Sequence, residues 1–435
     1  MTDSRVFAIG LALIGLGMGT GALALDAPHT IRHAKPPERH IVEPHRTGIH
    51  IAARRTASPA PKSATTHTAS NASSVRHAAR PAQRAAAAGA VRRASLSTRR
   101  HRWHERFTAS SFVSGDIAAG DVVAGEDPVV RQAAIDALGD MNGTAVVIDP
   151  GNGRILAMVN QKLALSPGAE PCSTIKLSVA LAALSEGLVT RDTPVRLSGF
   201  SMNMTQALAK SNNLYFEELG RELGFERVHH YANEFGLGEL AGYHIEGEQL
   251  GAYPDQEIPA IEGGVARMCS FGQGVSVTPL QLGALVAAIA NGGTLYYLQH
   301  PTTPGEVATL EPKVKRTLDI ARYVPDLQDG MAGAVEYGTA RSLRANFHEL
   351  PVFGKTGTCS DKGTRFGWFA SYSDSPQGSL VTVFFLEGGR PTFGPRAAEL
   401  TGEFYKNLWD RNYFADKTQQ TAQTSPADAT PTVAP

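Results

Sequence analysis

From Asp127 onward the apolar residues switch between two periodicities, and the switches mark out the elements. After Asp127-Pro128 the run VVRQAAIDALG sets Val130, Ala133, Ala134, Ala137 and Leu138 at helical spacing, so one face of a predicted helix is apolar. A cap residue followed by proline at the first helical position fixes its start. The runs GTAVVID and RILAMVN, joined through PGNG, then read as a hairpin, because Asn152-Gly153 supplies a reversing turn. The middle of the chain predicts helices over Ser173 to Ser185, Met204 to Ala209, Leu214 to Leu223, Glu226 to Glu234 and Pro279 to Ala290. The last of these stops at Asn291-Gly292-Gly293, residues that readily leave the helical region. β-rich runs return at Leu350 to Thr358, Arg365 to Ser373 and Ser379 to Leu386, and Pro395 to Trp409 forms a closing helix. A sheet built from both ends of the chain, with a helical region inserted between, is an α/β design in two parts whose active site sits where the parts meet.

Composition divides the 435 residues further. Val6 to Leu25 contains no charge and is long enough to cross a bilayer, so residues 1–25 are expected to be a membrane segment. The short, nearly neutral MTDSR and the poorly defined site at Ala22-Leu23-Ala24 favour an uncleaved anchor over a cleaved signal. Either would deliver the rest of the chain outside the cytoplasm, although the basic segment that follows opposes the positive-inside rule. Residues 26–126 carry no sustained periodicity and are expected to be a disordered tether rich in Ala, Pro, Ser and Arg. Between residues 26 and 110 there are sixteen Lys or Arg against four Asp or Glu, and nine of the fourteen histidines. The formal net charge of zero thus hides a basic leader balanced by an acidic remainder. Only Trp103 and Phe107 interleave aromatics with these charges, so no nucleic acid is expected as a partner. Anionic lipid headgroups or an acidic cell-wall polymer need only the charge. His101 and His104 have metal-ligand spacing but no nearby third ligand, and no metal or cofactor is expected. Residues 127–415 hold the folded domain, and residues 416–435 a disordered tail. Three cysteines, Cys172, Cys269 and Cys359, close one pair at most and cannot form a disulfide scaffold.

Three motifs carry the candidate chemistry. In Pro171-Cys172-Ser173-Thr174-Ile175-Lys176 a serine stands three residues before a lysine, one turn away on the same side of a helix. Leu177, Val179, Ala180, Leu181, Ala183 and Leu184 make that helix apolar around much of its circumference, so it should be central and buried. A lysine there loses hydration, and its pKa falls toward the range where a neutral amine takes a hydroxyl proton. Ser173 sits at the amino end, where free N–H groups favour negative charge. Taken alone, a capping serine and a snorkelling lysine would give the same spacing by chance. Ser211-Asn212-Asn213 lies between two helical runs; Ser211 could shuttle a proton and Asn213 hold an amide, or the three could simply break and cap a helix. Gly354-Lys355-Thr356-Gly357-Thr358 ends an apolar run. In a strand Lys355 and Gly357 point one way, Thr356 and Thr358 the other. The lysine supplies field, the hydroxyls can hold a carboxylate, and Gly357 lets a substrate backbone approach. The spacing is not that of a phosphate-binding loop.

In this order the motifs match the pattern of class A β-lactamases and penicillin-binding proteins. From about Asn142 to Trp409 the chain resembles the transpeptidase domain of penicillin-binding proteins. Further stretches carry the likeness: NGTAVVIDPGNGRILAMVN, MTQALAKSNNLYFEELG, FGQGVSVTPLQLGALVAAIANGG and MAGAVEYGTA. The resemblance implies an antiparallel sheet flanked by helices plus an all-helical subdomain. It implies Ser173 as nucleophile, Lys176 as its base, Ser211 as proton relay and Lys355 as electrostatic support. Asn213, Thr356, Gly357 and Thr358 would bind substrate, and the N–H groups of Ser173 and Thr358 would form the oxyanion hole. The implied activity is serine D,D-transpeptidation of peptidoglycan stem peptides or a lipid-linked precursor, with β-lactams as covalent inhibitors. The domain would face the outer or periplasmic side of the cytoplasmic membrane. Alternatives are a D,D-carboxypeptidase, a serine β-lactamase and an inactive β-lactam-binding module; for a β-lactamase, Glu246, Glu248 and Glu257 are available but unconvincing bases. Asn212 departs from the family pattern at a variable position. The tether takes the place of the usual pedestal domain, which puts in doubt recruitment by other cell-wall synthesis proteins. Because the implied oxyanion hole brings Ser173 and Thr358 together, Cys172 and Cys359 would be neighbours; two small buried thiols are preferred here over a disulfide.

Overall fold

The computed structural model describes residues 107–376, 378–390 and 392–415. The apolar run Val6 to Leu25, the basic stretch up to residue 106 and the tail from residue 416 lie outside them. Among the described residues no helix is long and apolar enough to cross a membrane.

Helix α1, Pro128–Leu138, starts where the cap and proline predict, with the Asp127 carboxylate accepting from the amides of Val129 and Val130. Strands β1 (Gly143–Ile148) and β2 (Ile155–Val159) form the expected antiparallel hairpin. The helical part follows, with α2 (Lys176–Ser185), α3 (Met204–Lys210), α4 (Asn213–Glu234), α5 (Gly264–Phe271), α6 (Pro279–Ala290) and α7 (Val324–Glu336). Strands β3 (Val352–Asp361), β4 (Thr364–Ser373) and β5 (Leu380–Gly388) return to the sheet, and α8 (Gly394–Asp410) closes the domain.

The sheet order is β2-β1-β5-β4-β3, antiparallel throughout, and the two ends of the chain join where β1 pairs β5 from Gly143 opposite Leu386 to Ile148 opposite Val381. Alternation along the strands feeds two cores. Val146, Ile148, Val383 and Phe385 share one with α2, α4 and α6. Ala145, Val147, Phe384 and Leu386 share the other with α1 and α8. Covered on both faces, β1 is buried at every position, which is why it reads as a continuous apolar run.

Several expectations need adjusting. Ser173 lies in a 3-10 turn, Cys172–Ile175, and the α-helix begins only at Lys176. The helices expected over 214–223 and 226–234 are the two arms of α4, broken at Gly224, whose φ of 73° departs from the helical region. The ordered chain also reaches back beyond the boundary expected at Asp127. Asp121 accepts from the amides of Asn160 and Gln161 and pairs with Arg131 at 2.8 Å. Glu126 is buried, pairs with Arg131 at 2.8 Å and accepts from the Met158 amide, with His300 Nε2 3.0 Å away. Further back, Ser111 donates to the Gly389 carbonyl. Besides these polar contacts, only the irregularly spaced Phe107, Ile117 and Ala118 pack against the core, so periodicity could not reveal residues 107–126.

Candidate active site

The segment before α2 is shaped to present one hydroxyl. Cys172 takes a left-handed conformation, φ 51°, and Thr174 bonds back through its hydroxyl to the Pro171 carbonyl at 2.7 Å. Ser173 is thereby left half-buried at the head of α2, while Lys176 is fully buried. The Lys176 Nζ lies 2.6 Å from Ser173 Oγ, 2.8 Å from Asn213 Oδ1 and 2.7 Å from the Ser270 carbonyl. Burial pushes this amine well below its ordinary pKa, the charge of Lys355 pushes it further, and Glu217 opposes them. The rings of Phe216 and Phe271 stand 5.6 and 5.9 Å from Nζ and close the site around it.

Ser211-Asn212-Asn213 both breaks a helix and faces the two lysines. Ser211, at φ 53°, ends α3; Asn212 caps α4 by accepting from the Tyr215 amide; Asn213 opens α4 and turns its side chain to Lys176. Lys355, fully buried on β3, donates to Ser211 Oγ at 2.8 Å and to the Thr356 carbonyl at 2.9 Å. Burial lowers its pKa to about 7.

The expected alternation along β3 holds. Lys355 and Gly357 face the helical part, while Thr356 Oγ1 lies 2.6 Å from Thr339 Oγ1 and Thr358 Oγ1 accepts from the Gly394 amide at 2.9 Å. Gly357 has a local reason to be glycine. A Cβ there would stand 2.8 Å from the Pro171 carbonyl oxygen and 3.2 Å from Thr174 Cγ2, so its absence admits the turn that carries Ser173. That close approach is by the protein's own chain, where a substrate backbone was expected. β3 is the edge of the sheet, and its outer side pairs with no other strand of it.

Cys172 and Cys359 are joined by a disulfide, which replaces the preferred expectation of two separate thiols. The strand alternation that sends Lys355 and Gly357 toward the nucleophile turn sends Cys359 there too. Cys269 stays free and buried against Gly220. Among the described residues no group of three metal-ligating side chains gathers.

Sequence reasoning missed two contributors. The Ser270 carbonyl is a backbone group at the end of α5, a helix too short and glycine-flanked to announce itself. Thr339 sits in MAGAVEYGTA, a stretch singled out without a role; its amide donates to the Ala209 carbonyl at 3.1 Å, so it braces both the Ser211 turn and β3.

The sequence profile of the penicillin binding protein transpeptidase domain matches residues 143–406, which contain all three motifs. The chain belongs to this family. Stage V sporulation protein D of Bacillus subtilis (strain 168) is 27% identical over 316 residues, covering 60% of this chain and 48% of that protein. Peptidoglycan D,D-transpeptidase FtsI of Escherichia coli (strain K12) is 29% identical over 219 residues, 42% of this chain and 37% of that protein. The chain thus matches about half or less of the length of these relatives. The crystal structure of Pseudomonas aeruginosa PBP2 in complex with WCK 5153 shares the fold, with a TM-score of 0.55 at 23% identity over 67% of this chain and 78% of that one. The two-part α/β architecture is accordingly the transpeptidase fold of penicillin-binding proteins, and the domain is a member of the D,D-transpeptidase superfamily.

Proposed function

We propose that this domain is a serine D,D-transpeptidase that cross-links peptidoglycan stem peptides, or a lipid-linked precursor, through an acyl-enzyme on Ser173. The observation that carries the reading is the buried amine of Lys176, 2.6 Å from Ser173 Oγ. A neutral amine has two N–H groups and one lone pair. Two of its three neighbours, Asn213 Oδ1 and the Ser270 carbonyl, accept the N–H groups, which leaves the lone pair for the Ser173 hydroxyl. As Ser173 Oγ attacks the penultimate D-alanine carbonyl, its proton passes to Lys176. The Ser173 and Thr358 amides receive the developing oxyanion. Ser211, held by Lys355, relays the proton taken up by Lys176 to the departing amine as the terminal D-alanine leaves, so that both side chains return to their starting forms. An amine from a neighbouring stem peptide then attacks the ester, regenerating the serine and completing the cross-link. The strained carbonyl of a β-lactam would acylate the same oxygen.

Water as the second nucleophile would make a carboxypeptidase, which is the nearest alternative. β-lactamase activity finds less support, since the Glu248 carboxylate is engaged by the amides of Ala241 and Gly242 at 2.8 to 3.1 Å. The apolar run Val6 to Leu25 favours a domain held at the outer face of the cytoplasmic membrane, within reach of other cell-wall synthesis proteins.

The test is to incubate the protein with a pentapeptide donor ending in D-Ala-D-Ala, with and without an amine acceptor, and to weigh the products. A joined donor–acceptor product and free D-alanine are expected, both lost in Ser173→Ala. Persistence of either in that variant, or rapid turnover of nitrocefin by the wild type, would overturn the proposal.

A further inference from the structure

We infer that the Cys172–Cys359 disulfide is a positioning device that holds the two oxyanion-hole amides at their working separation, so that acylation depends on the bond being closed. This rests on the reading of Ser173 as nucleophile. One half-cystine immediately precedes Ser173 and the other immediately follows Thr358, so the bond crosses 187 residues of sequence to tie together the two backbone segments whose N–H groups would receive the oxyanion. Their Cα atoms are 5.6 Å apart, which leaves each neighbouring amide little freedom to move without the other.

Two features show that the tie has something to hold. Cys172 is a non-glycine residue at φ 51°, a conformation that side-chain-bearing residues adopt rarely and keep only where the surroundings impose it. Besides the disulfide, the turn's side-chain hydrogen bond to the sheet lies upstream of the nucleophile, and downstream of it only the Thr174 methyl packs against Gly357. Trp368 Nε1 donates to the Glu170 carbonyl at 3.0 Å, and the Pro171 carbonyl rests in the space left by Gly357. With the bond open, Cys172 is free to relax to negative φ, which rotates the peptide that carries the Ser173 N–H. The Ser173 side chain would meanwhile keep its base, because Lys176 is fixed from another direction by Asn213 and Ser270. The consequence is specific: loss of oxyanion stabilisation with the proton-transfer machinery intact. Cys359 is half-buried on the edge strand, within reach of a small thiol.

The experiment uses the full chain, oxidised or treated with dithiothreitol. Each bond reduced takes two protons and two electrons from one dithiothreitol, which closes to its cyclic disulfide. Alkylation and intact mass should count one free thiol before and three after. Single-turnover acylation by a fluorescent penicillin across a concentration series separates the non-covalent dissociation constant from the acylation rate constant. Reduction is expected to lower the rate constant about a hundredfold, as misplacement of a reacting group by about 1 Å or loss of one oxyanion-hole donor does. The dissociation constant should stay within twofold, the midpoint of the pH profile should not move, and reoxidation should restore the rate. Cys172→Ala combined with Cys359→Ala, which has no bond but keeps a side chain that disfavours φ 51° at position 172, should be as slow as the reduced protein. Equal rate constants in the oxidised and reduced forms would overturn the inference. So would a reduced protein whose affinity and pH midpoint shift together with its rate, because that marks general loosening. Continued labelling of Ser173→Ala would instead refute the underlying nucleophile assignment, whatever the thiols do.

Discussion

Replacing Lys176 with methionine separates catalysis from stability at this site. The thioether fills nearly the same apolar channel, between Phe216 and Phe271, but provides no base. A positioned general base contributes about 10²- to 10⁴-fold to rate. At about 1.36 kcal/mol per tenfold, that is roughly 3 to 5 kcal/mol of barrier. The structural cost is a separate matter. Asn213 Oδ1 and the Ser270 carbonyl lose their donor, a penalty of about 1 to 3 kcal/mol for each orphaned acceptor. Against it stands the relief of no longer burying an amine, which is of similar size and opposite sign. The melting temperature should therefore move by no more than a few degrees while acylation slows at least a hundredfold. Stopped-flow mixing with a fluorescent penicillin measures the rate, and scanning calorimetry measures the stability. The wild-type rate should also rise with pH as Lys176 deprotonates, at a midpoint well below the ordinary 10.5, and the variant should lack that limb. An acylation rate within threefold of wild type, with the limb intact, would refute the assignment of Lys176 as base.

Lys355 makes a prediction about pH and stability. Its pKa is about 7 in the folded protein and 10.5 in the unfolded chain, so between those values the unfolded state binds more protons. Stability should rise with pH across that window, with a limiting slope of about 1.4 kcal/mol per unit. Below about pH 7 the burial penalty is paid in full, and above about 10.5 it has vanished. Urea denaturation from pH 7 to 10 measures the slope, to which buried Lys176 adds with the same sign, so Lys355→Met should reduce it without abolishing it; a wild-type slope that is flat or falling would contradict the burial argument. In the same variant the alkaline limb of acylation should move to higher pH, because a charge that depresses Lys176 has been removed.

Much of this site was legible because each motif is local. Ser173 and Lys176 meet by turn spacing, Lys355 and Gly357 share a face by strand alternation, and the Asp127-Pro128 cap and the Asn152-Gly153 turn announce their own elements. What escaped depends on partners far along the chain. The order that seats β5 between β1 and β4 is set by how two cores close over both faces of the sheet, which no single run of residues encodes. The Ser270 carbonyl carries no side-chain mark. Residues 107–126 are held by Asp121, Glu126 and Arg131, and such charges read as solvated until their partners are known. The disulfide is hidden for the same reason: 187 residues separate Cys172 from Cys359, and in the sequence only the implied oxyanion hole brings them together.

The proposed chemistry requires that the Ser173 oxygen itself becomes acylated. Brief exposure to benzylpenicillin, followed by denaturation, proteolysis and fragment sequencing by mass spectrometry, reads this directly. A single penicilloyl group on Ser173 is the predicted result; an adduct on any other residue, or an unmodified Ser173 after prolonged exposure, would contradict it.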